Sequence, residues 1–400
     1  MLIQPNPYKL INYIQHYAWG TSGGGAYIPE LLNITPEKDV KYAELWIGAH
    51  PKLTSSIIEG TKKIPLDKFI EENPEKILGK RVSTKFGNKL PFLLKVLSIG
   101  KTLSIQAHPG KRAAVQLNQK FPERYPDPNH KPEIAIAIDQ LTAVAGFRPH
   151  NEITDLFNNF PELGKFISPD LLNALKSPVR VDGSQVIKKI YSDIMNSDEE
   201  TLVPVINSLR EKFSNSLDKS TIEKTFLSEF ETYGYDPGLI TLLLFNKITL
   251  DKGEGLNISA GIPHAYISGN IIECMANSDN VVRGGLTPKF KDIHVLLEIL
   301  DTRGGKPEIL SPGELGEYTY KSPVEEYQLT RYKNEIYMEH VFAGNDTIKI
   351  GIVINGSVSI SDDENRFRYN KGESFLIPAI FENFNISAEG NTEFYLVTVP

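Results

Sequence analysis

The chain has 400 residues, too many for one small core, so more than one domain is expected. A formal net charge of −7, with 40% hydrophobic and 23% charged residues, gives no broad basic face for nucleic acid. The single cysteine, Cys274, excludes an internal disulfide and suits a reducing compartment. The amino-terminal residues read as neither signal peptide nor anchor, and no apolar run is long enough to span a bilayer. A cytoplasmic protein with no nucleic-acid or membrane partner is the expectation; a local Arg and Lys cluster can still capture a small anion.

Residues 1–148 read mostly as strands. YAELWIGA from Tyr42, LPFLLKVLSI from Leu90 and EIAIAI from Glu133 are rich in apolar and β-forming residues bounded by Gly, Pro or Asn. Residues 149–246 change to helical patterning. Ser168-Pro169 and Asp236-Pro237 each set a capping residue before a proline at the first helical position. Ser220 and Glu223 form a capping-box pair, after which Phe226, Leu227, Phe230 and Tyr233 recur at helical spacing.

Strands resume in 247–311, which carries the polar-rich run HAYISGNIIECMANSDNVVRGGLTPK from His264 to Lys289. Buried polar groups cost free energy unless paired, metal-bound or used by a ligand, so this run points to a site. Thr287-Pro288 predicts a helix with Phe290, Ile293, Leu297 and Leu300 on one face, which would set Lys289 just inside its amino terminus. Residues 312–400 return to strands, with KIGIVINGSVSI and FRYNKGESFLIPA divided by Asn355-Gly356 and Asn370-Lys371-Gly372 turns. The fold class expected is mainly β: a β unit with a helical insertion, followed by a second β unit.

Period-two spacing selects candidate metal ligands in three distant segments, and leaves open whether they meet. In SIQAHP, a strand would put Ser104, Gln106 and His108 on one face. In NHKPE, Pro132 biases Lys131 toward extended geometry, so Lys131 and Glu133 share a face and His130 points away. In GEGLNISAGIPHAY, a strand, an Ala-Gly turn and a second strand set His264 and Tyr266 on one face. Gln106, His108, Glu133 and His264 together offer two imidazoles, a carboxylate and an amide oxygen, a mixture that suits zinc. Any one of these histidines taken singly reads as an ordinary core or surface residue, as do His16, His50, His150, His294 and His340.

With those residues in view, the chain resembles the type I mannose-6-phosphate isomerases, zinc-dependent enzymes of cupin-type β fold. SIQAHP, YPDPNHKPE from Tyr125 to Glu133 and the run from His264 to Lys289 carry the resemblance, supported by YAELWIGAHP and the Trp19-Gly20 pair. It implies two cupin-type β-barrel (jelly-roll) domains plus an all-α domain, zinc held by Gln106, His108, Glu133 and His264, and interconversion of mannose 6-phosphate and fructose 6-phosphate. With no histidine beyond His340, residues 312–400 lack the imidazoles of a second metal centre, so one Zn2+ per chain is expected; a monomer is also expected. The resemblance also implies a catalytic Arg283. Two departures stand out: Gly110 where the family has an acidic residue after His-Pro, and Gly284 where the family reads Arg-Ala-Gly, a change expected to loosen the loop holding Arg283.

Such an isomerisation moves a proton between C1 and C2 and needs both a base and an electrophile. Lys131, beside Glu133, and Glu273, in the apolar strand IIECMA, are the candidate proton carriers, with Tyr266 as a hydroxyl donor. For Glu273 the plain alternative is a salt bridge to Arg283 or a lysine. Lys289 and Lys95 are candidates for the phosphate, and Ser104 and Asp279 complete the substrate list. Lys95, alone in an apolar strand, needs either a partner or a ligand. The rivals are an iron oxygenase built on His108, His264 and Glu133, which Gln106 argues against, and a non-catalytic sugar-binding cupin, which leaves Lys131, Glu273 and Arg283 without work.

Overall fold

The computed structural model describes residues 3–175, 182–344 and 346–400. Strands dominate it. A 12-stranded antiparallel sheet runs in the order Ile309–Leu310, Gly255–Ile258, Glu133–Ala137, His264–Ala276, Phe92–Ile99, Glu44–His50 and Tyr13–Gln15, with the remaining strands branching from this path. The strand His264–Ala276 is its axis. Its first part pairs with Leu141–Phe147 and Ile105–Ala107, and its second part with Phe92–Ile99 and Glu133–Ala137. The partners change near Gly269, whose φ is 121° and where a Cβ would stand 2.5 Å from the Gln140 carbonyl oxygen. Only glycine meets both demands.

The two faces of this sheet do different things. Leu94, Ile134 and Cys274 join Ile350, Ile352, Leu376 and Val397 in one buried cluster, so one face packs on a second, 8-stranded sheet. That second sheet mixes the two ends of the chain: Tyr8–Ile11 pairs with Ser374–Ile377 and with Ser56–Glu59. Its other face packs on a 4-stranded sheet through Phe375, Phe394, Val358 and Ile386. Asn355-Gly356 therefore closes no hairpin: Lys349–Asn355 lies in the 8-stranded sheet and Ser357–Ser361 in the 4-stranded one, with Gly356 at φ 73° passing the chain between them.

Helices cluster between residues 150 and 244, and their caps follow the sequence. Helix Thr221–Tyr233 carries the full Ser220–Glu223 capping box, and Pro169–Leu175 starts directly after Ser168. After Asp236-Pro237 the helix Gly238–Thr241 begins one residue later than expected, with the Asp236 carboxylate accepting from Gly238 N at 2.7 Å. Apolar faces of these helices bury Ile190, Ile206 and Phe226 against Ile105 and Val282 of the sheet and Leu286 just after it.

One expected element is corrected. The helix predicted from Thr287-Pro288 spans only Ile293–Ile299, because Asp292 supplies its cap through Val295 N at 3.3 Å. Thr287 instead accepts from Lys289 N at 3.1 Å, a local turn that competes with helix. Phe290 is consequently exposed, and Lys289 lies outside any helix. Among the described residues no helix is long and apolar enough to cross a membrane.

A buried ion pair lies between adjacent strands of the 8-stranded sheet, reached by Lys252 from the turn before Gly255–Ile258. Glu393, 2% exposed, accepts from Arg331 Nε at 2.9 Å and lies 3.0 Å from Nζ of Lys252, while the Tyr395 hydroxyl donates to it at 3.2 Å. Burial pushes the Glu393 carboxyl up, but Arg331 and Lys252 outweigh it and hold it below the ordinary value. A carboxylate so lowered stabilises the fold above the unfolded range, around pH 4, and that contribution fades as pH falls through the folded value. Arg331→Met should therefore lower unfolding free energy by about 3–5 kcal/mol at neutral pH. Denaturant titrations across pH should find the gap narrowing in acid.

Candidate active site

The site sits where three short stretches of sheet lie side by side. Gln106, in the strand Ile105–Ala107, is opposite His264 on one edge and opposite Arg283 of Val282–Gly285 on the other. His108 follows that strand by one residue, and Glu133 opens the strand Glu133–Ala137 opposite Met275 and Ile258. His108, Glu133 and His264 are each at most 2% exposed. Glu133 Oε1 lies 3.3 Å from His108 Nε2, and Oε2 lies 3.4 Å from His264 Nε2. The Gln106 amide end is 3.4 Å from the same His264 Nε2, and a half-turn of the amide presents its oxygen there.

Neighbouring backbone fixes the state of both imidazoles. His108 Nδ1 is 2.7 Å from the Asn280 carbonyl and His264 Nδ1 is 3.0 Å from the Ile262 carbonyl. A carbonyl only accepts, so each Nδ1 carries a proton and each ring turns its Nε2 toward Glu133. Burial lowers the His108 pKa to about 4, which keeps the ring neutral. Burial alone would raise the Glu133 carboxyl, but Lys131 and His108 hold it well below the ordinary range. Lys131 Nζ is 3.1 Å from Glu133 Oε1.

The donor set fits a divalent cation. His108 Nε2 and Glu133 Oε2 are buried atoms with no hydrogen-bond partner, each facing an atom of the same cluster. One donor atom from each of His108, Glu133 and His264 falls within 4.8 Å of the others. Two lone pairs and a carboxylate facing one point are what a cation such as zinc requires.

A second polar group adjoins the first on the same sheet. Lys95, 6% exposed, is 3.1 Å from Glu273 Oε2 and 3.3 Å from Glu44 Oε2, and its ammonium lies 5.2 Å from the Trp46 ring centroid. Burial would lower the Lys95 pKa, but the carboxylates of Glu44 and Glu273 carry it upward. The partner that an isolated lysine needs is thus supplied by protein. Tyr266, also buried, donates to Glu273 Oε1 at 3.2 Å. Burial raises the Glu273 carboxyl despite Lys95, since Glu44 and Glu133 share the same surroundings.

The remaining candidates lie around this centre. Arg283 is half-buried, and burial alone shifts its pKa, downward, with no carboxylate among the causes. Lys289 is exposed; burial and then repulsion from Arg283 and Lys52 lower it, so these three cations are neighbours. Asp279 is 3.0 Å from Lys52 Nζ and 3.6 Å from His50 Nε2, and burial lowers His50 to about 4. Ser104 is partly buried, one residue before the Ile105–Ala107 strand. The Gly284 departure does not open a void: a Cβ there would stand 2.6 Å from the Tyr191 hydroxyl.

Sequence reasoning missed several supports. Glu44 and Trp46 belong to the Lys95 group, with Trp46 Nε1 donating to Glu44 at 2.6 Å; a lone glutamate in YAELWIGA was the available signal. Asp127 accepts from Ser278 Oγ and Asp279 N, both at 2.8 Å, and so ties YPDPNHKPE to the loop whose Asn280 carbonyl orients His108. Turn-forming Asp-Pro-Asn and Asn-Ser-Asp-Asn runs hinted at this without naming the partners.

This mainly β protein with clustered helices and a buried His-Glu-His centre was compared with known proteins. A family model described as "Phosphomannose isomerase type I, catalytic domain" matches residues 8–150, and one described as "Mannose-6-phosphate isomerase, cupin domain" matches residues 319–397. The mannose-6-phosphate isomerase of Rattus norvegicus is 39% identical over 316 residues, covering 75% of this chain and 74% of its own. That of Eremothecium gossypii is 35% identical over 395 residues, covering 91% of each. A phosphomannose isomerase structure from Salmonella typhimurium superposes with a TM-score of 0.85 at 31% identity, covering 98% of this chain and 99% of that one. A mannose 6-phosphate isomerase bound with zinc and yttrium gives 0.84 at 31% identity, with the same coverage. The site and fold define a cupin-containing sugar-phosphate isomerase. The chain belongs to the type I phosphomannose isomerase family.

A cation at this centre should bind the folded chain and not the unfolded one. Zinc at a hundredfold excess over its dissociation constant should add about 2.7 kcal/mol of stability. Differential scanning calorimetry should register the gain for the wild type and lose it for His108→Ala and His264→Ala.

Proposed function

We propose that the chain interconverts D-mannose 6-phosphate and D-fructose 6-phosphate through an enediol, with one zinc ion held by Gln106, His108, Glu133 and His264. The single observation that carries this reading is the convergence of His108, Glu133 and His264, with Gln106 and Arg283 in register beside them, in a member of this isomerase family. Bound zinc would supply electrophilic stabilisation of the sugar oxygens.

The residues divide the remaining work. Both oxygens of Glu273 are engaged, Oε2 by Lys95 and Oε1 by Tyr266. Lys131, held at Glu133, is therefore our candidate to carry the proton between C1 and C2 at its Nζ. Glu273, Tyr266 and Lys95 hold the charge balance beside it, so Lys95 takes a positioning role rather than a grip on phosphate. Arg283 lies next to Gln106 and, among the described residues, has no carboxylate partner, which suits stabilisation of the developing enediolate oxygen. Lys289, exposed near Arg283, faces the phosphate, and Ser104 and Asp279 meet sugar hydroxyls.

We also infer a domain arrangement in which residues 149–246 are a helical insertion in a catalytic cupin unit of 1–148 and 247–311. Residues 312–400 then form a second, metal-free cupin unit; the 319–397 family match supports its extent.

A coupled assay for fructose 6-phosphate should detect turnover of mannose 6-phosphate, and in deuterium oxide the product should gain solvent deuterium. No turnover by folded, zinc-loaded protein would contradict the assignment. Lys131→Met should lower kcat by about 10²–10⁴-fold. Glu273→Gln should lower it less, and the reverse order would move the proton-carrying role to Glu273.

A further inference from the structure

The Arg283 segment is gripped by the helical part of the chain. Asp236 follows the helix Thr221–Tyr233 and is 7% exposed. Its Oδ1 accepts from Gly238 N at 2.7 Å and from Leu286 N at 3.1 Å, and its Oδ2 accepts from Lys291 Nζ at 2.7 Å. One carboxylate thus binds backbone on both sides of the junction and a side chain beyond it. Leu286 is fully buried and has φ 52°, a left-handed conformation that a leucine holds only when its surroundings enforce it.

The backbones themselves touch there. A Cβ on Gly285 would lie 2.5 Å from Gly238 Cα, and one on Gly238 would lie 2.8 Å from Gly285 Cα. One residue nearer to Arg283, the Tyr191 hydroxyl of helix Gly183–Met195 fills the space at Gly284, 2.6 Å from where a Cβ would stand. Tyr191 is fully buried.

We propose that Asp236 and Tyr191 are positioning residues through which the helical segment sets the Arg283–Leu286 backbone in register with Gln106. This rests on the reading of Arg283 as a group acting on the reacting oxygens. Neither residue touches substrate; each acts through the backbone that carries Arg283. The helical segment is then part of the catalytic apparatus rather than a decoration on it.

A double-mutant cycle separates this from general stabilisation. In folded protein of equal zinc content, Asp236→Ala should lower kcat for mannose 6-phosphate by about tenfold or more. In an Arg283→Ala background the same change should lower the residual kcat less than twofold. Equal fold-losses in both backgrounds would overturn the proposal, because the carboxylate would then act elsewhere. Full turnover by Arg283→Ala alone would instead sink the Arg283 reading. Should Asp236→Ala not fold, a second pair decides: Gly284→Ala should lose kcat through its clash with the Tyr191 hydroxyl, and adding Tyr191→Phe should recover at least fivefold. A double variant no better than Gly284→Ala alone would also overturn the proposal.

Discussion

Everything at this site depends on one buried carboxylate. Glu133 is 2% exposed and lies between two imidazoles and a lysine, an arrangement that burial alone would penalise. The sheet supports it from below, since Glu133 is fixed by pairing with both Met275 and Ile258. The backbone supports it from the sides, since the Asn280 and Ile262 carbonyls force each ring to offer Nε2. A carboxylate held ionised with two aimed lone pairs is pre-organised for a cation, and little reorganisation remains when one binds.

The second charge group extends the same logic along the sheet. Lys95 is directly opposite both Trp46 and Glu273 in the pairing register, so alternate residues of three adjacent strands face one another. One buried ammonium balances two carboxylates, Glu44 and Glu273, and removing any one partner would strand the others. Near this balanced cluster Arg283 is half-buried, and among the described residues no carboxylate shifts its pKa. Paired charge lies at Lys95, and the cations Arg283, Lys289 and Lys52 gather nearby, against an overall charge of −7.

What was legible in the sequence was local. Strand periodicity fixes which neighbours share a face within each segment, while joining Gln106, His108, Glu133 and His264 across three segments rested on the family resemblance; the structure brings those four together. The Ser220–Glu223 box was legible because both partners lie within one turn. The misplacement of Lys289 came from a local signal too: Thr287 makes the turn, but Asp292 makes the cap. Long-range pairing carried no such mark. Nothing around Asp236 announces Leu286, fifty positions on, and nothing in KIGIVINGSVSI shows that its halves enter different sheets. The amino-terminal strand Tyr8–Ile11 is equally silent about its partner near residue 375.

The most direct test of the account is to strip the protein of metal and follow mannose 6-phosphate turnover as zinc is returned in measured equivalents. The account predicts that activity is absent without metal, rises in proportion to zinc and stops rising at one equivalent per chain. Full activity in the stripped protein, or a break at two equivalents, would contradict a single cation centred on Glu133.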